Sequence, residues 1–185
     1  MLVREFSLIP FARTPSPAPS SVSGRLWRSG TRLVVEFAIT GGQPVDAASP
    51  PARRDGLWRR TCGELFVAAA GQPGYHELNL APNGDWNLYR FDGYRAAGRE
   101  EAAIAVLPAG ITHADGELRL TIELPLAPLG LAEAELDIGV SAVLEAAGGA
   151  VSHWALVHPA TAPDFHDRRA FTLRLPPCTT KGTTP

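Results

Sequence analysis

Residues 117–124 read Glu-Leu-Arg-Leu-Thr-Ile-Glu-Leu. Leu118, Leu120, Ile122 and Leu124 alternate without a break with Glu117, Arg119, Thr121 and Glu123. Side chains of a β-strand point alternately to its two faces, so this stretch predicts a strand with one buried face. Residues 32–39 carry the same period, with Leu33, Val35, Phe37 and Ile39 set against Arg32, Val34, Glu36 and Ala38. Near the end of the chain Phe171, Leu173 and Leu175 alternate with Thr172, Arg174 and Pro176. The expected core is therefore Leu33, Val35, Phe37, Leu118, Leu120, Ile122, Phe171 and Leu173.

Working outward, further strands are expected at 2–9, 22–28, 62–69, 75–80, 85–91, 102–107, 136–144 and 151–157. Turn signals separate most of them: Ser29-Gly30, residues 71–74, Pro82-Asn83-Gly84-Asp85, Asp115-Gly116 and Gly148-Gly149. Asp115-Gly116 lies between Ile111-Thr112 and Leu118 and predicts a tight hairpin. Pro128-Leu129-Gly130-Leu131 leaves room for one helical turn, and no stretch holds a helical period between two caps. Many short strands at short intervals predict an all-β fold, a two-sheet antiparallel β-sandwich.

The bulk numbers agree with that class and exclude several functions. A chain of 185 residues is the size of one domain and can bury a core without staples. It is 45% hydrophobic and 19% charged, too apolar for wholesale disorder. A formal net charge of −2, with 17 scattered Lys and Arg, offers no basic footprint for nucleic acid or an acidic membrane. No apolar run approaches the ~18 residues of a membrane span, and Met1-Leu-Val-Arg-Glu-Phe has none of the parts of an export signal. The expected location is the cytoplasm. Cys62 and Cys178 lie far apart and are expected as two reduced thiols. Residues 11–23, rich in Pro and Ser, predict a loop.

Three segments carry a family resemblance. They are residues 57–67 (LWRRTCGELFV), residues 75–95 (YHELNLAPNGDWNLYRFDGYR), and His153-Trp154-Ala155-Leu156-Val157-His158-Pro159 with Pro163-Asp164-Phe165-His166. Together they resemble the bacterial DOMON-like proteins, relatives of the family 9 carbohydrate-binding modules. Residues 124–130 (LPLAPLG) are similar to that group's I-P-x-x-x-L-G corner. The resemblance covers most of residues 20–175. It implies an immunoglobulin-like β-sandwich and a group whose members bind sugars or haem. One such domain is expected over residues 1–176, followed by a flexible tail at 177–185.

The chemistry is sought on strand faces. Glu64, Phe66 and Ala68 share one face of 62–69, and Tyr75, Glu77 and Asn79 share one face of 75–80. On adjacent strands these carboxyl and amide groups would meet. They would either bind the hydroxyls of a polyol or form a buried polar network. Residues 86–91 offer Trp86, Leu88 and Arg90 on one face and Asn87, Tyr89 and Phe91 on the other. An aromatic with an Arg fork makes a sugar or anion platform, although a strand Trp is also an ordinary core residue. The ligand site is therefore expected around Glu77, Asn79, Trp86, Arg90 and Trp154, and Trp154 must be brought in by the fold.

Other chemistries find less support. His153, His158, Asp164, His166 and Asp167 are metal-ligand types, but their spacing matches no standard zinc pattern and a polar loop explains them. Met1 is the only methionine, so a Met/His haem pair is not available. The motifs G-x-S-x-G, H-E-x-x-H, G-x-x-x-x-G-K-[ST] and G-x-G-x-x-G are absent. No catalytic residue, metal site or cofactor is expected. The expected partner is a carbohydrate or sugar-containing small molecule, with neither nucleic acid nor membrane, and no partner protein is assigned. Two alternatives stay open: a structural or protein-interaction domain without a small ligand, and a carbohydrate-active enzyme using Glu64 and Glu77 as its carboxyl pair.

Overall fold

The strand β10 (Glu117–Pro125) pairs antiparallel along its length with β4 (Arg32–Thr40). Leu118 faces Ile39, Leu120 faces Phe37 and Ile122 faces Val35, so the aliphatic residues of both strands meet on one side. The computed structural model describes residues 2–11, 21–41, 50–146 and 148–177. Residues 12–20 of the Pro- and Ser-rich loop, Cys178 and all but the first residue of the expected tail lie outside the described residues.

Around that pair the chain runs β1 (Val3–Ser7), β2 (Ile9–Pro10), β3 (Ser21–Ser29), β4, β5 (Cys62–Ala69), β6 (Tyr75–Leu80), β7 (Trp86–Phe91), β8 (Arg99–Glu100), β9 (Ala109–Ala114), β10, β11 (Leu136–Glu145), β12 (Val151–Ala155) and β13 (Leu173–Leu175). The smaller sheet has the order β1-β3-β4-β10-β9. The larger has the order β2-β12-β11-β5-β6-β7-β8, with β13 on the first residues of β11. Single 3-10 turns occur at Leu57–Arg59, Ala127–Leu129 and Arg168–Ala170. No helix among the described residues is long and apolar enough to cross a membrane.

The two sheets enclose one core. The smaller contributes Leu26, Leu33, Val35, Phe37, Leu120 and Ile122, and the larger contributes Leu65, Val67, Leu78, Leu80, Leu88 and Ile138, all buried. Each such side chain stabilises the fold by about 1.5–3 kcal/mol relative to exposure. Asp115 and Gly116 both take positive φ, 52° and 77°, which is the type I′ turn whose twist suits a two-residue hairpin between β9 and β10.

Three expectations are corrected. The expected strand 2–9 breaks at buried Leu8, and its halves join different sheets. Residues 102–107 form no strand: the chain makes only the two-residue β8, then an irregular segment. In it Ile104 and Leu107 plug the core, while the Ile104 carbonyl accepts from the Arg53 guanidinium. Phe171 is buried but not between the sheets. It leaves the line of β13 and packs with Phe66, Ala68 and Tyr75 on the outer face of the larger sheet. Gly139 makes that seat, because a Cβ there would lie 2.9 Å from the Phe171 ring. Leu173 is half-buried against the main core.

Candidate functional site

The turn at Pro82–Asp85 fixes which residues share a face. It pairs Leu80 with Trp86, Leu78 with Leu88 and His76 with Arg90. Even-numbered residues of β6 and β7 therefore point inward. Asn79, Glu77 and Tyr75 stand opposite Asn87, Tyr89 and Phe91 on the outer face. On the other side of β6, Glu64 pairs with Asn79 and Phe66 with Glu77. Next along, Ser141 of β11 pairs with Glu64, Val143 with Cys62, and His153 of β12 with Val143. The outer face of five strands thus carries a belt of polar and aromatic side chains. Asp85 holds the turn by accepting from the backbone N–H of Ala52 at 2.9 Å and pairing with Arg54 at 2.8 Å.

Loops cover this belt and leave a pocket of about 400 Å³, within the roughly 300–1,000 Å³ of small-molecule sites. Glu64, Phe66, Glu77 and Val143 line it from the sheet, Trp58 and Tyr89 stand on one side, and Arg95, Phe165 and His166 come from the loops. Trp58 is partly exposed and meets the Tyr89 ring edge-on at 5.7 Å. Phe165 sits 6.0 Å from the His153 ring. A depression of about 580 Å³ on the smaller sheet is the weaker candidate. Its charges are already matched across exposed surface, as in Arg25–Glu36 at 2.5 Å, and its aromatics Phe6 and Phe37 belong to the core.

The polar groups of the pocket are held by one another. Glu64 Oε2 accepts from the Ser141 hydroxyl at 2.8 Å, and its Oε1 accepts from the Cys62 thiol at 3.5 Å. The Asn79 amide donates to Glu77 Oε1 at 2.9 Å, and Glu77 Oε2 lies 3.6 Å from His166 Nε2. The Tyr75 hydroxyl accepts from the Arg95 backbone N–H at 3.2 Å and meets His166 Nδ1 at 2.8 Å. Both contacts are satisfied when Tyr75 donates to Nδ1 and His166 carries its proton on Nε2, toward Glu77. Asn79 Oδ1 and His153 Nδ1 are buried without a partner among the described residues.

Burial sets the protonation of these groups. It pushes Glu64 up to about 8, helped by the neighbouring charge of Glu77. It also raises Glu77, against the Asn79 hydrogen bond and the charge of Arg95. His166 is brought down to about 4, first by burial and then by Arg95, and is neutral. Burial, then Glu64, lifts the Cys62 thiol well above its ordinary range, so it holds its proton. The floor of the pocket therefore presents carboxyl, amide and imidazole groups that both donate and accept hydrogen bonds, beside aromatic rings.

The five residues expected to form the site are divided by the sheet. Glu77 and Asn79 lie on the outer face, Glu77 lining the pocket and Asn79 fully buried beside it. Trp86 and Trp154 point the other way, into the core between the sheets. The Trp86 ring packs 4.4 Å from the Arg53 guanidinium, and Trp154 Nε1 donates to Ser152 Oγ at 2.9 Å. Arg90 shares their side of the sheet at its exposed end, beside Asp92 at 3.9 Å, and makes no pair with Glu64 or Glu77. Beside Glu77 the pocket is lined instead by Tyr89, Phe66, Trp58, Phe165 and His166. The sign available in the sequence was parity: strands that pair Leu80 with Trp86 put Asn87 and Tyr89, not Trp86, beside Glu77.

The histidine segment separates likewise. His153 and His166 line the pocket, whereas His158 Nε2 meets the Ile9 carbonyl at 2.9 Å. Asp164 accepts from the Tyr94 hydroxyl at 2.5 Å and from Arg95 at 3.0 Å. Asp167 caps the last 3-10 turn by accepting from the Arg169 N–H at 2.9 Å. Among the described residues no group of three or more His, Cys, Asp or Glu is placed to hold a metal ion.

No family model matches the chain, and no curated protein matches it in sequence. Solved structures match it in fold. A candidate carbohydrate-binding protein from Bacteroides uniformis aligns with a TM-score of 0.68 at 13% identity, over 91% of this chain and 84% of that one. A family 9 carbohydrate-binding module from Caldicellulosiruptor kristjanssonii, in complex with cellotriose, aligns with a TM-score of 0.51 at 8% identity, over 83% and 74%. Its complex with glucose gives 0.51 at 10% identity, over 83% and 75%. At such identities the likeness is one of fold, the two-sheet sandwich.

Proposed function

We propose that the chain is a non-catalytic carbohydrate-binding sandwich that holds a sugar in the pocket on the outer face of its larger sheet. One observation carries the reading: a hydrogen-bonded set of carboxyl and imidazole groups, backed by the buried Asn79 amide, lines a cavity walled by aromatic rings. Hydroxyls of a pyranose need partners that donate and accept in fixed directions, and its C–H face packs on an aromatic plane. Glu64, Glu77 and His166 supply the first, and Trp58, Tyr89 and Phe165 the second. Two of the similar folds are modules in complex with glucose or cellotriose, which supports the same class of ligand. Kinship with the bacterial DOMON-like proteins and a cytoplasmic location are part of this proposal.

Catalysis by a carboxyl pair fits less well. Glu64 and Glu77 stand side by side on neighbouring strands of one floor rather than across a cleft, as acid and base flanking a glycosidic bond must. A thermal-shift series with glucose, cellotriose and other monosaccharides tests the binding reading. A ligand of the folded state raises the melting temperature with concentration, by RT ln(1 + [L]/Kd) in free energy. Trp58→Ala should remove the shift without lowering the melting temperature of the free protein. No shift with any sugar at millimolar concentration would contradict the proposal.

A further inference from the structure

We propose that the sugar this pocket accepts bears a free amino group, whose ammonium lies between the aromatic walls and the carboxyl groups of Glu64 and Glu77. The inference rests on the carbohydrate reading above and narrows it to amino sugars.

Charge matching leads there. Glu64 and Glu77 are almost entirely buried, yet the described residues that hydrogen-bond to them do so through neutral groups: the Ser141 hydroxyl, the Cys62 thiol and the Asn79 amide. His166, 3.6 Å from Glu77, is neutral as well. Among the described residues no Arg forms an ion pair with either carboxyl group. Among the described residues Arg95 is the one guanidinium lining the pocket, and it pairs with Asp164 at 3.0 Å. Of the other titratable groups facing the site, Tyr75 and Tyr89 are raised by burial and His153 is lowered by it, so none adds positive charge. Among the described residues, then, two carboxyl groups stand in the pocket floor without an ion-pair partner.

The walls fit the same ligand. Aromatic faces attract cations, and aromatic side chains around carboxyl groups make a cage for an organic ammonium. The cation–π contacts among the described residues involve Trp27, Trp86, Tyr94 and Phe171, none of which lines the pocket. Trp58, Tyr89 and Phe165 remain uncapped by a guanidinium. A neutral sugar would leave the carboxyl groups protonated and use their hydrogen bonds alone. An ammonium sugar would let one ionise and gain the charge pair, with its carboxylic proton passing to the buffer.

Isothermal titration calorimetry at about pH 6.5 tests this on the unmodified protein, with glucosamine, glucose and N-acetylglucosamine as ligands. N-acetylglucosamine keeps the bulk at the same carbon and removes the charge. Glucosamine is expected to bind at least about tenfold more tightly than either. Repeating its titration in buffers of different ionisation enthalpy should show about one proton released per sugar, because a carboxyl protonated in the free pocket ionises. Glu77→Gln should bring glucosamine down to the affinity of the two uncharged sugars and abolish the proton release. Glucose or N-acetylglucosamine binding as tightly as glucosamine would overturn this inference and leave the carbohydrate reading standing. Tight glucosamine binding without proton release would do the same, since the amine would then lie away from the carboxyl groups. Binding of none of the three would overturn both readings.

Discussion

The two faces of the larger sheet are both buried, and they are built from opposite chemistry. The inner face carries Leu65, Val67, Leu78, Leu80 and Leu88 and is covered by the other sheet. The outer face carries Glu64, Phe66, Glu77, Asn79, Asn87 and Ser141, equally withdrawn from water, and is covered only by loops. Leu78, at 0% exposure, sits in the chain between Glu77 at 5% and Asn79 at 0%. Burial alone therefore does not tell core from site in this protein. The distinguishing mark is that one buried face keeps paying the desolvation of carboxyl groups that leucines would avoid. A purely structural role would be served as well by apolar packing, which is often no less stable than buried ionisable groups.

That contrast can be broken by mutation. Trp86→Ala acts on the inner face, where its ring lies against the core, and should destabilise by about 3–5 kcal/mol in chemical denaturation. Sugar affinity of the fraction still folded should be unchanged. A stable Trp86→Ala variant that no longer binds would move the site to the inner face. Leu78→Ala should cost about 2–5 kcal/mol, again with affinity kept, although it lies between two residues of the proposed site.

The outer face should reveal itself through pH. Glu64 is held near 8 in the folded chain against an ordinary 4.5, so the folded state binds more protons than the unfolded one between those values. Stability from this group is complete below the lower value and is lost as pH rises through the upper. His166, brought from 6.5 to about 4, works the other way, and its stabilisation is lost as pH falls through the folded value. Above 6.5 that opposition ends. Stability should therefore decline from about pH 6.5 to 8, by up to about 1.4 kcal/mol per pH unit for one group. Glu64→Gln should flatten that decline in denaturation curves taken across the window. An unchanged slope in the variant would show that Glu64 is ionised in the folded protein.

The smallest expected change in stability is at the rim. Trp58 is 38% exposed, so Trp58→Ala should alter unfolding free energy by roughly 0.5 kcal/mol or less, yet weaken sugar binding at least about tenfold. Retained affinity would take the aromatic wall out of the site.

The sequence disclosed the sandwich because alternation is a local signal. Glu117–Pro125 and Arg32–Thr40 each show it within nine residues, and their pairing buries the residues that the period selects. It also brought Glu64, Phe66, Glu77 and Asn79 to one surface, as strand parity requires. It did not fix the facing of the next residues. Trp86 and Arg90 suit a sugar platform by residue type, but the face they occupy depends on register across the turn, and Leu80 opposite Trp86 turns both away from Glu77. Trp154 faces inward for the same reason, paired with Ala142 on the inner side of β11. Arg95, Phe165 and His166 carry no periodic signal. They reach the pocket through loops, whose positions follow from long-range contacts such as Tyr75 with His166 and Arg95 with Asp164. Residues 102–107 misled in another way, because scattered apolar residues there plug the core without pairing as a strand.

The tryptophans give the most direct test of the site. The chain has four, Trp27, Trp58, Trp86 and Trp154, and each indole N–H gives its own nitrogen–proton resonance. Trp58 lines the outer pocket, Trp86 and Trp154 lie in the core, and Trp27 is on the smaller sheet beneath Arg25. During titration with glucose or glucosamine, the Trp58 signal should shift saturably while the other three hold still. A saturable shift of Trp86 or Trp154 with Trp58 unmoved would contradict the account.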